Sequence, residues 1–467
     1  MPEPSSSTLA CATVAVRRSV AVHRTAAIAV AALAMLVGIG ALAGGQGAVA
    51  ETIHGSPGGF TVHPNITDSH CNRGRGLEWA AELGENPVVA SGTLADGSTL
   101  IAVSSGGPPN KPTVVLYSVS PACTANLAFG KAGTVRLGPT QRESKDPLPG
   151  GALGGLQIDV VAAASGGGAF IAGSYGGNWI VGKVTPQGQP DVSFGHKGWS
   201  VLRFGGEVAS VVQQPSGIIA LAATNGGGGC CTTNWMATLS STGQRESEFG
   251  NGGREVLPTG EDSGPAPLVL EPNGDVLAPV DYGNMGCWGM SLQMLEPAGR
   301  PVPLFQQRLS SFWKALHFGA FTGSVYADGA GFTIIGTGQA PCYASKPAAS
   351  VTGVIAHFST DGKQIGQTIR FASTQFGSLY ASQDGNDTLI AASAYANSTR
   401  LTLDLLRPNG SLDGAFATGG VAELRTPWTG MGAALQTQLS ISEAGPDTIV
   451  IVAQDAGNQL QLTRLDV

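Results

Sequence analysis

The feature that most constrains this chain is a tight turn followed by a short apolar strand, which recurs seven times. Glycine supplies the positive φ that such a hairpin turn needs, and the Asp or Asn that often precedes it tolerates the same region. The turn glycines are Gly97, Gly167, Gly217, Gly274, Gly329, Gly385 and Gly445. The apolar runs that follow them are Leu100–Val103, Phe170–Gly173, Ile218–Ala222, Val276–Val280, Phe332–Gly336, Leu389–Ala392 and Ile449–Val452.

The spacing of these turns sets the size of the repeated unit. Successive glycines lie between 50 and 70 residues apart, which is room for four short strands with their turns. One such unit cannot bury both of its faces, so neighbouring units must stack. The pattern predicts an all-β fold: a seven-bladed β-propeller of four-stranded antiparallel blades, forming one domain over residues 51–467.

A second marker falls between these turns, at Phe129–Gly133, Phe194–Gly198, Phe249–Gly253 and, in a variant form, Phe416–Gly420. With the turns Gln213–Gly217 and Leu270–Gly274, this pattern resembles the delta-60 repeat propellers. The resemblance covers most of residues 55–467 and implies the fold; it implies no single activity. Two blades depart from it, since Phe305–Arg308 replaces the marker in the fourth and Phe371 alone stands near its place in the fifth. We expect the repeated Phe to pack between neighbouring blades.

The last copy stops before its own Phe-Gly turn and final strand. The segment Gly55–Val62 resembles the missing piece. We therefore expect a strand near Phe60 to pair with the last strands, Thr448–Val452 and Gln459–Leu465, which would remove an open sheet edge.

The first fifty residues differ in kind from the rest. Arg17, Arg18 and Arg24 precede an uncharged apolar run, 26–43, and the small residues Ala48-Val49-Ala50 follow. This pattern is typical of a secretory signal cleaved before Glu51, so the propeller is predicted to be secreted; an uncleaved membrane anchor with the propeller outside is the alternative.

The charge balance argues against nucleic acid as a partner. The chain has 25 Lys and Arg against 32 Asp and Glu, a formal charge of -7. Removing residues 1–50 takes away three Arg and Glu3, which leaves 22 against 31, about -9. A phosphate-binding surface needs clustered cations, and none stands out here.

Six cysteines follow the signal segment: Cys71, Cys123, Cys230, Cys231, Cys287 and Cys342. An even number in an exported chain predicts disulfides. The last four fall in the connections between the second and third strands of three consecutive blades, so we expect Cys287 to bond Cys230 or Cys231. Cys342 is expected to bond the remaining one of these two or to lie near the cluster. A four-thiolate zinc site is the alternative. Cys71 would then pair with Cys123, although the strand order places these two on opposite faces.

No other residues make a convincing site. His54, His63 and His70 fit no metal-ligand spacing, and Asp384–Asp387 is expected to be a hairpin and no calcium loop. Trp179, Trp235 and Trp288 start third strands and are expected to be core residues, with sugar stacking as the alternative. Asn65-Ile66-Thr67 fits a glycosylation sequon. The sequence predicts no metal, cofactor or catalytic residue.

Two functional hypotheses remain. The irregular connections Thr224–Asn234, Tyr282–Cys287, Thr337–Ser350 and Pro139–Gly154 share one predicted face, where binding sites usually lie. The first hypothesis is a monomeric scaffold that binds a protein or a glycan on this face. The second is an extracellular hydrolase or lyase with carboxylates at the propeller channel; a structural role in the cell envelope is a third.

Overall fold

The structure is a computed structural model of the chain. It describes residues 77–80, 88–105, 113–137, 156–224, 233–258, 263–284, 287–316, 320–327, 331–339, 351–373, 376–384, 387–394, 400–407, 409, 411–416, 420–425, 439–445, 448–454 and 459–466.

Within these residues the chain forms seven antiparallel sheets. Sheet 1 contains β2 (Val88–Thr93), β3 (Thr99–Ser105), β4 (Thr113–Val119) and β5 (Thr134–Leu137). Sheet 2 contains β6 (Leu156–Ala163), β7 (Ala169–Tyr175), β8 (Asn178–Val184) and β9 (Trp199–Leu202). Sheet 3 contains β10 (Glu207–Gln213), β11 (Ile219–Thr224), β12 (Asn234–Leu239) and β13 (Arg254–Val256).

The fourth sheet is irregular and the next three are regular. Sheet 4 contains β14 (Gly264–Pro265), β15 (Val269–Leu270), β16 (Val276–Asn284) and β17 (Cys287–Leu295), and is followed by the helix α1 (Phe305–Leu316). Sheet 5 contains β18 (Ala320–Ala327), β19 (Gly331–Gln339), β20 (Val351–Ser359) and β21 (Gln364–Ser373). Sheet 6 contains β22 (Phe376–Asp384), β23 (Asp387–Ala394), β24 (Arg400–Leu406) and β25 (Val421–Arg425). Sheet 7 contains β26 (Leu439–Gly445), β27 (Thr448–Gln454), β28 (Gln459–Asp466) and β1 (Leu77–Ala80).

The seven predicted turn-and-strand copies are confirmed as second strands. Each predicted apolar run lies in β3, β7, β11, β16, β19, β23 or β27, and each of these strands pairs with the strand before it and the strand after it. Asp384 is paired with Asp387 across a tight hairpin, as expected. The expectation of an irregular connection is wrong at Tyr282–Cys287, because β16 runs to Asn284 and β17 starts at Cys287.

The strand that completes sheet 7 is not the predicted one. Leu77–Ala80 pairs with β28, with Leu77 opposite Leu462, whereas the segment near Phe60 lies outside the described residues. The predicted β27 and β28 are confirmed, each slightly longer than expected.

The core lies between successive sheets. One apolar cluster joins Leu100 and Leu116 of sheet 1 to Ile158 and Ile171 of sheet 2, and others join sheets 2 and 3, 3 and 4, 4 and 5, and 7 and 1. The first strands of successive sheets also contact one another: β26 contacts β2, β2 contacts β6, β6 contacts β10, β10 contacts β14 and β15, β15 contacts β18, and β18 contacts β22.

The repeated Phe joins sheet 1 to sheet 2, sheet 2 to sheet 3 and sheet 3 to sheet 4, as predicted. Phe194 is fully buried, and a Cβ on Gly243 of sheet 3 would lie 2.9 Å from its ring. The Gly195 N–H donates to the Thr242 carbonyl oxygen of that same turn at 2.8 Å. Phe129 and Phe249 make the equivalent contacts with Gly188 and Gly299.

Candidate functional site

The N-terminal halves of the neighbouring first strands β6 and β10 carry the carboxyl pair formed by Asp159 and Glu207. Asp159 stands at a β-bulge in β6, where the register with β7 shifts between Ile158 and Val160. A bulge turns one extra side chain out of the regular alternation. Glu207 is the first residue of β10 and is exposed.

Only one oxygen of the Asp159 carboxylate has a hydrogen-bond partner among the described residues. The Gln157 side-chain amide donates to Oδ1 at 2.6 Å, while Oδ2 is buried without a hydrogen-bond partner among the described residues. A Cβ on Gly173 of β7 would come within 3.0 Å of Oδ2 and 2.1 Å of the Gln157 carbonyl oxygen. Glycine at position 173 therefore makes room for the carboxylate and for the bulge that carries it.

Burial changes the protonation of Asp159. Desolvation raises the pKa of this carboxyl to about 6, the Gln157 hydrogen bond opposes the shift, and the charge of Glu207 adds to it. Asp159 therefore loses its proton as the pH rises through about 6, and the site then gains negative charge.

The pair lies at the end of the sheets that bears the connections between second and third strands. Glu207 is opposite Thr224, the last residue of β11 before that connection in sheet 3. Gln157 is opposite Ser174, one residue before the end of β7. This is the face on which the sequence predicted a binding site.

Two other carboxyls with a raised pKa do not join this pair. Asp281 lies in β16 opposite Met290, and Asp404 lies in β24 opposite Val421, so the three are in different sheets and in different strands of their sheets. Burial raises the pKa of Asp281 and of Asp404 to about 6.

Asp281→Asn is expected to stabilise the protein at neutral and higher pH. The pKa of this carboxyl is higher in the folded than in the unfolded state. Its contribution to stability is therefore fully present below pH 3.8 and is lost as the pH rises through about 6. Asn keeps the shape without the charge, so the free energy of unfolding should rise by about 2 kcal/mol at pH 8 and change little at pH 4. Urea unfolding at both pH values measures this, with Glu248→Gln, an exposed acid, as the control. An equal effect at pH 4 and pH 8 would contradict the assignment.

Most of the predicted cysteine sites lie outside the described residues. Cys71, Cys230, Cys231 and Cys342 are among them, and of Cys287 only the backbone at the start of β17 is described. The bonds among Cys230, Cys231, Cys287 and Cys342 therefore stay predictions. Cys123 is disulfide-bonded and buried; its partner is not among the side chains that the structure describes, and the pairing with Cys71 stays a prediction.

Of the three tryptophans predicted to be core residues, Trp179 is fully buried and Trp235 is half-buried. Trp179 is fully buried and its indole N–H donates to the Gly205 carbonyl oxygen at 2.7 Å, so its prediction as a core residue is confirmed. Trp235 is half-buried, and the Arg254 guanidinium lies 3.9 Å from its ring centroid, which occupies one face of the ring. The side chain of Trp288 lies outside the description.

The remaining predicted features fall on residues 1–76. His54, His63, His70, the Asn65 sequon and the signal segment all lie outside the described residues. In the part of the chain that is described, no helix has the length and apolar character to cross a membrane. No group of three His, Cys, Asp or Glu suited to a metal ion occurs in that part either.

Comparison with known proteins gives distant structural likenesses. No family of known proteins and no curated protein matches the chain. The calcium-binding protein regucalcin from Agrobacterium tumefaciens matches with 11% identity over 82% of this chain and 91% of its own, at a TM-score of 0.34. Drosophila Plexin A in complex with Semaphorin 1b matches with 9% identity over 83% and 86%, at 0.41. The polysaccharide lyase Uly1 matches with 9% identity over 83% and 90%, at 0.40.

The pair of carboxyls was not predicted from the sequence. The available signal was an Asp inside the apolar run Leu156–Val161, since a charged residue in a buried strand needs an explanation. Its partner Glu207 is in another sheet, so the pair emerges only when sheets 2 and 3 are placed side by side.

Proposed function

We propose that the chain is a secreted, seven-bladed β-propeller that acts as a binding scaffold for a protein or a glycan. Seven four-stranded sheets and the contacts between their first strands support a ring. In this proposal sheets 6 and 7 also meet, and β1 on the edge of β28 closes the ring with strands from both ends of the chain. The face with the second-to-third strand connections is the binding face.

The observation that carries the binding function is the pair Asp159 and Glu207 on that face. Two carboxyls on rigid neighbouring strands form a preorganised acceptor for a cationic group, because strands hold side chains more firmly than loops do. The partner would present an ammonium or guanidinium group, as a lysine or arginine side chain or an amino sugar does. The exposed Glu207 is the group we assign to the direct contact, and the charge of Asp159 beside it adds to the attraction.

Binding should depend on pH and on both carboxyls. Trilysine and the trimer of glucosamine serve as probes of the two partner classes in calorimetric titrations against residues 51–467. Because Asp159 loses its proton near pH 6, affinity for the preferred probe should be several-fold greater at pH 7 than at pH 5. Asp159→Asn should remove this pH dependence, and Glu207→Gln should weaken binding at pH 7.

The matched control is Glu248→Gln, which removes an exposed acid from the connection between β12 and β13 at the opposite end of the sheet. It should change affinity by less than about twofold. Equal weakening by Glu207→Gln and Glu248→Gln would mean that only the net negative charge attracts the probes. That result would overturn the site.

A second candidate function is a hydrolase or lyase, and one observation favours it. A carboxyl with a pKa near 6 beside a second carboxyl is the arrangement that general acid-base chemistry uses. Turnover of a polysaccharide that is abolished by Asp159→Asn, with the fold unchanged, would decide for this function and against the scaffold.

A further inference from the structure

The Phe-Gly turn of sheet 3, between β12 and β13, contains the pair Asn251-Gly252. An Asn followed by Gly is prone to lose its side-chain amide, because the glycine nitrogen has no side chain beside it and can reach the Asn Cγ. The reaction needs a free Gly N–H, an Asn side chain without hydrogen-bond partners, and open space around both. Each condition can be checked from the contacts of the pair.

Asn251-Gly252 meets all three conditions. Both residues are exposed, and a Cβ on Gly252 would have no atom within 4 Å. Among the described residues, neither the Asn251 side-chain amide nor the Gly252 N–H has a hydrogen-bond partner. The nitrogen that would attack and the carbon that it would attack are therefore both accessible.

A second pair, Asn273-Gly274 in the turn between β15 and β16, is held by hydrogen bonds. The Gly274 N–H donates to the Glu271 carbonyl oxygen at 2.9 Å. Asn273 Oδ1 accepts from the Asp275 N–H at 3.0 Å, and its Nδ2 donates to the Asp275 carboxylate at 2.8 Å. The same dipeptide is thus free in one turn and bonded in the other.

The other Phe-Gly turns show that this conformation does not require glycine at position 252. The equivalent residues are Ala132, with a φ of +54°, and Lys197, with a φ of +53°, beside +62° at Gly252. In all three turns the preceding residue donates its N–H to the carbonyl oxygen three positions later, at 2.7 to 2.9 Å. The Asn-Gly pair is therefore a feature of the turn in sheet 3 and no requirement of the repeat.

This turn fixes the joint between sheets 3 and 4. Phe249 is buried and its ring packs against Gly299 of sheet 4, while the Gly250 N–H donates to the Ala298 carbonyl oxygen at 3.1 Å. The Gly253 N–H closes the turn by donating to the Phe249 carbonyl oxygen at 2.9 Å. A longer backbone between Gly250 and Gly253 would disturb the hydrogen bonds that hold Phe249 in place.

We propose that Asn251 is a site of spontaneous deamidation, and that its isoaspartyl product loosens the joint between sheets 3 and 4. The Gly252 nitrogen bonds to the Asn251 Cγ, and its proton passes through water to Nδ2, which leaves as ammonia. Water then opens the resulting succinimide. Addition of water at Cγ gives Asp, and addition at the main-chain carbonyl carbon gives isoaspartate, in which the backbone is longer by one methylene.

Peptide mapping of the purified protein, before and after incubation in mildly alkaline buffer, tests the reaction. Tryptic cleavage after Arg245 and Arg254 releases a peptide whose single Asn is Asn251, so its mass gain is assigned to one residue. Asn251 should convert at least about tenfold faster than Asn273, because attack at Asn273 first requires three hydrogen bonds to break. In urea, where both turns are open, this difference should largely disappear.

Two variants copy residues of the equivalent turn in sheet 1. Gly252→Ala copies Ala132, keeps the turn, and should slow conversion of Asn251 at least about tenfold, because the added Cβ hinders the attacking nitrogen. Asn251→Lys copies Lys131 and should abolish the reaction at this position, since no side-chain amide remains. Asn251 lies at the end of sheet 3 opposite Glu207, so its modification does not depend on the proposed binding function.

The effect on the joint is measured by urea unfolding. The isoaspartyl form is separated by chromatography and identified by labelling with isoaspartyl methyltransferase. Its equilibrium constant for unfolding should be about tenfold larger than that of the starting protein, because the turn loses hydrogen bonds. Asn251→Lys should unfold at the same urea concentration before and after incubation.

Three results would overturn the proposal. The first is conversion of Asn273 as fast as that of Asn251 in the folded protein. The second is an isoaspartyl form that unfolds at the same urea concentration as the starting protein, because the longer backbone would then leave the joint intact. The third is an equal loss of stability when Asn251→Lys is incubated, because the change would then come from another residue.

Discussion

Phe194→Ala is expected to lower the free energy of unfolding by about 3 to 5 kcal/mol. The side chain is fully buried, belongs to the apolar cluster between sheets 2 and 3, and lies 5.8 Å from the Phe170 ring between centroids. Removing the ring would open a cavity at the joint between two sheets, where neighbouring side chains are held by strands and cannot collapse into it.

The turn at Gly243, against which the Phe194 ring packs, is not expected to move into the space that the ring leaves. Gly243 has a φ of +77°, a conformation in which a side chain is strained, and a Cβ there would lie 2.9 Å from the Phe194 ring. The same turn accepts the Gly195 N–H through Thr242. Without the ring, the turn that contains Thr242 is held less firmly, so this hydrogen bond is also expected to weaken.

Urea unfolding followed by circular dichroism measures the effect. Val192→Ala is the matched control, because Val192 lies two residues earlier in the same connection and is 79% exposed. It should change the free energy of unfolding by less than about 0.5 kcal/mol. Similar losses for both variants would show that the repeated Phe does not hold the sheets together.

The regular part of the fold could be predicted because its signals are local. A turn glycine followed by an apolar run identifies each second strand, and Phe before Gly identifies the joint to the next sheet. Both patterns depend on a few consecutive residues and on the rules of hairpin turns. The seven second strands and the buried Phe129, Phe194 and Phe249 follow from them.

The irregular part was predicted less well. The helix α1 was not predicted, although Phe305, Leu309 and Phe312 have the i, i+4, i+7 spacing of an apolar helix face and are all buried. In the fifth sheet Phe371 alone stood near the place of the Phe-Gly turn. It lies inside β21, opposite Gly353, and in no turn. A direct hairpin from β20 to β21 leaves no place for that turn.

The candidate site depends on long-range geometry. The position of Asp159 depends on a bulge in β6, and its pKa depends on burial and on Glu207 in the next sheet. Neither can be derived from the residues around Asp159. The fourth strand of sheet 7 also depends on long-range pairing: Gly55–Val62 was chosen because it resembles the missing end of the last repeat, whereas Leu77–Ala80 is the segment that pairs with β28.

Removing β1 is expected to destabilise the protein more than removing everything before it. The register of Leu77–Ala80 against Leu462–Gln459 gives β28 its outer partner. Without β1 that edge loses main-chain hydrogen bonds, which we expect to cost about 2 to 6 kcal/mol. The exposed edge would also promote aggregation.

The most direct test of ring closure compares the unfolding of chains that start at Glu51, Gly76 and Ala81. The two shorter chains both lack Cys71, so their difference reports residues 76–80 alone. We predict that the chain from Gly76 unfolds cooperatively and that the chain from Ala81 unfolds at much lower urea or aggregates. Equal stability of the two shorter chains, with the chain from Glu51 far more stable than both, would contradict closure by Leu77–Ala80 and place the closing strand before residue 76.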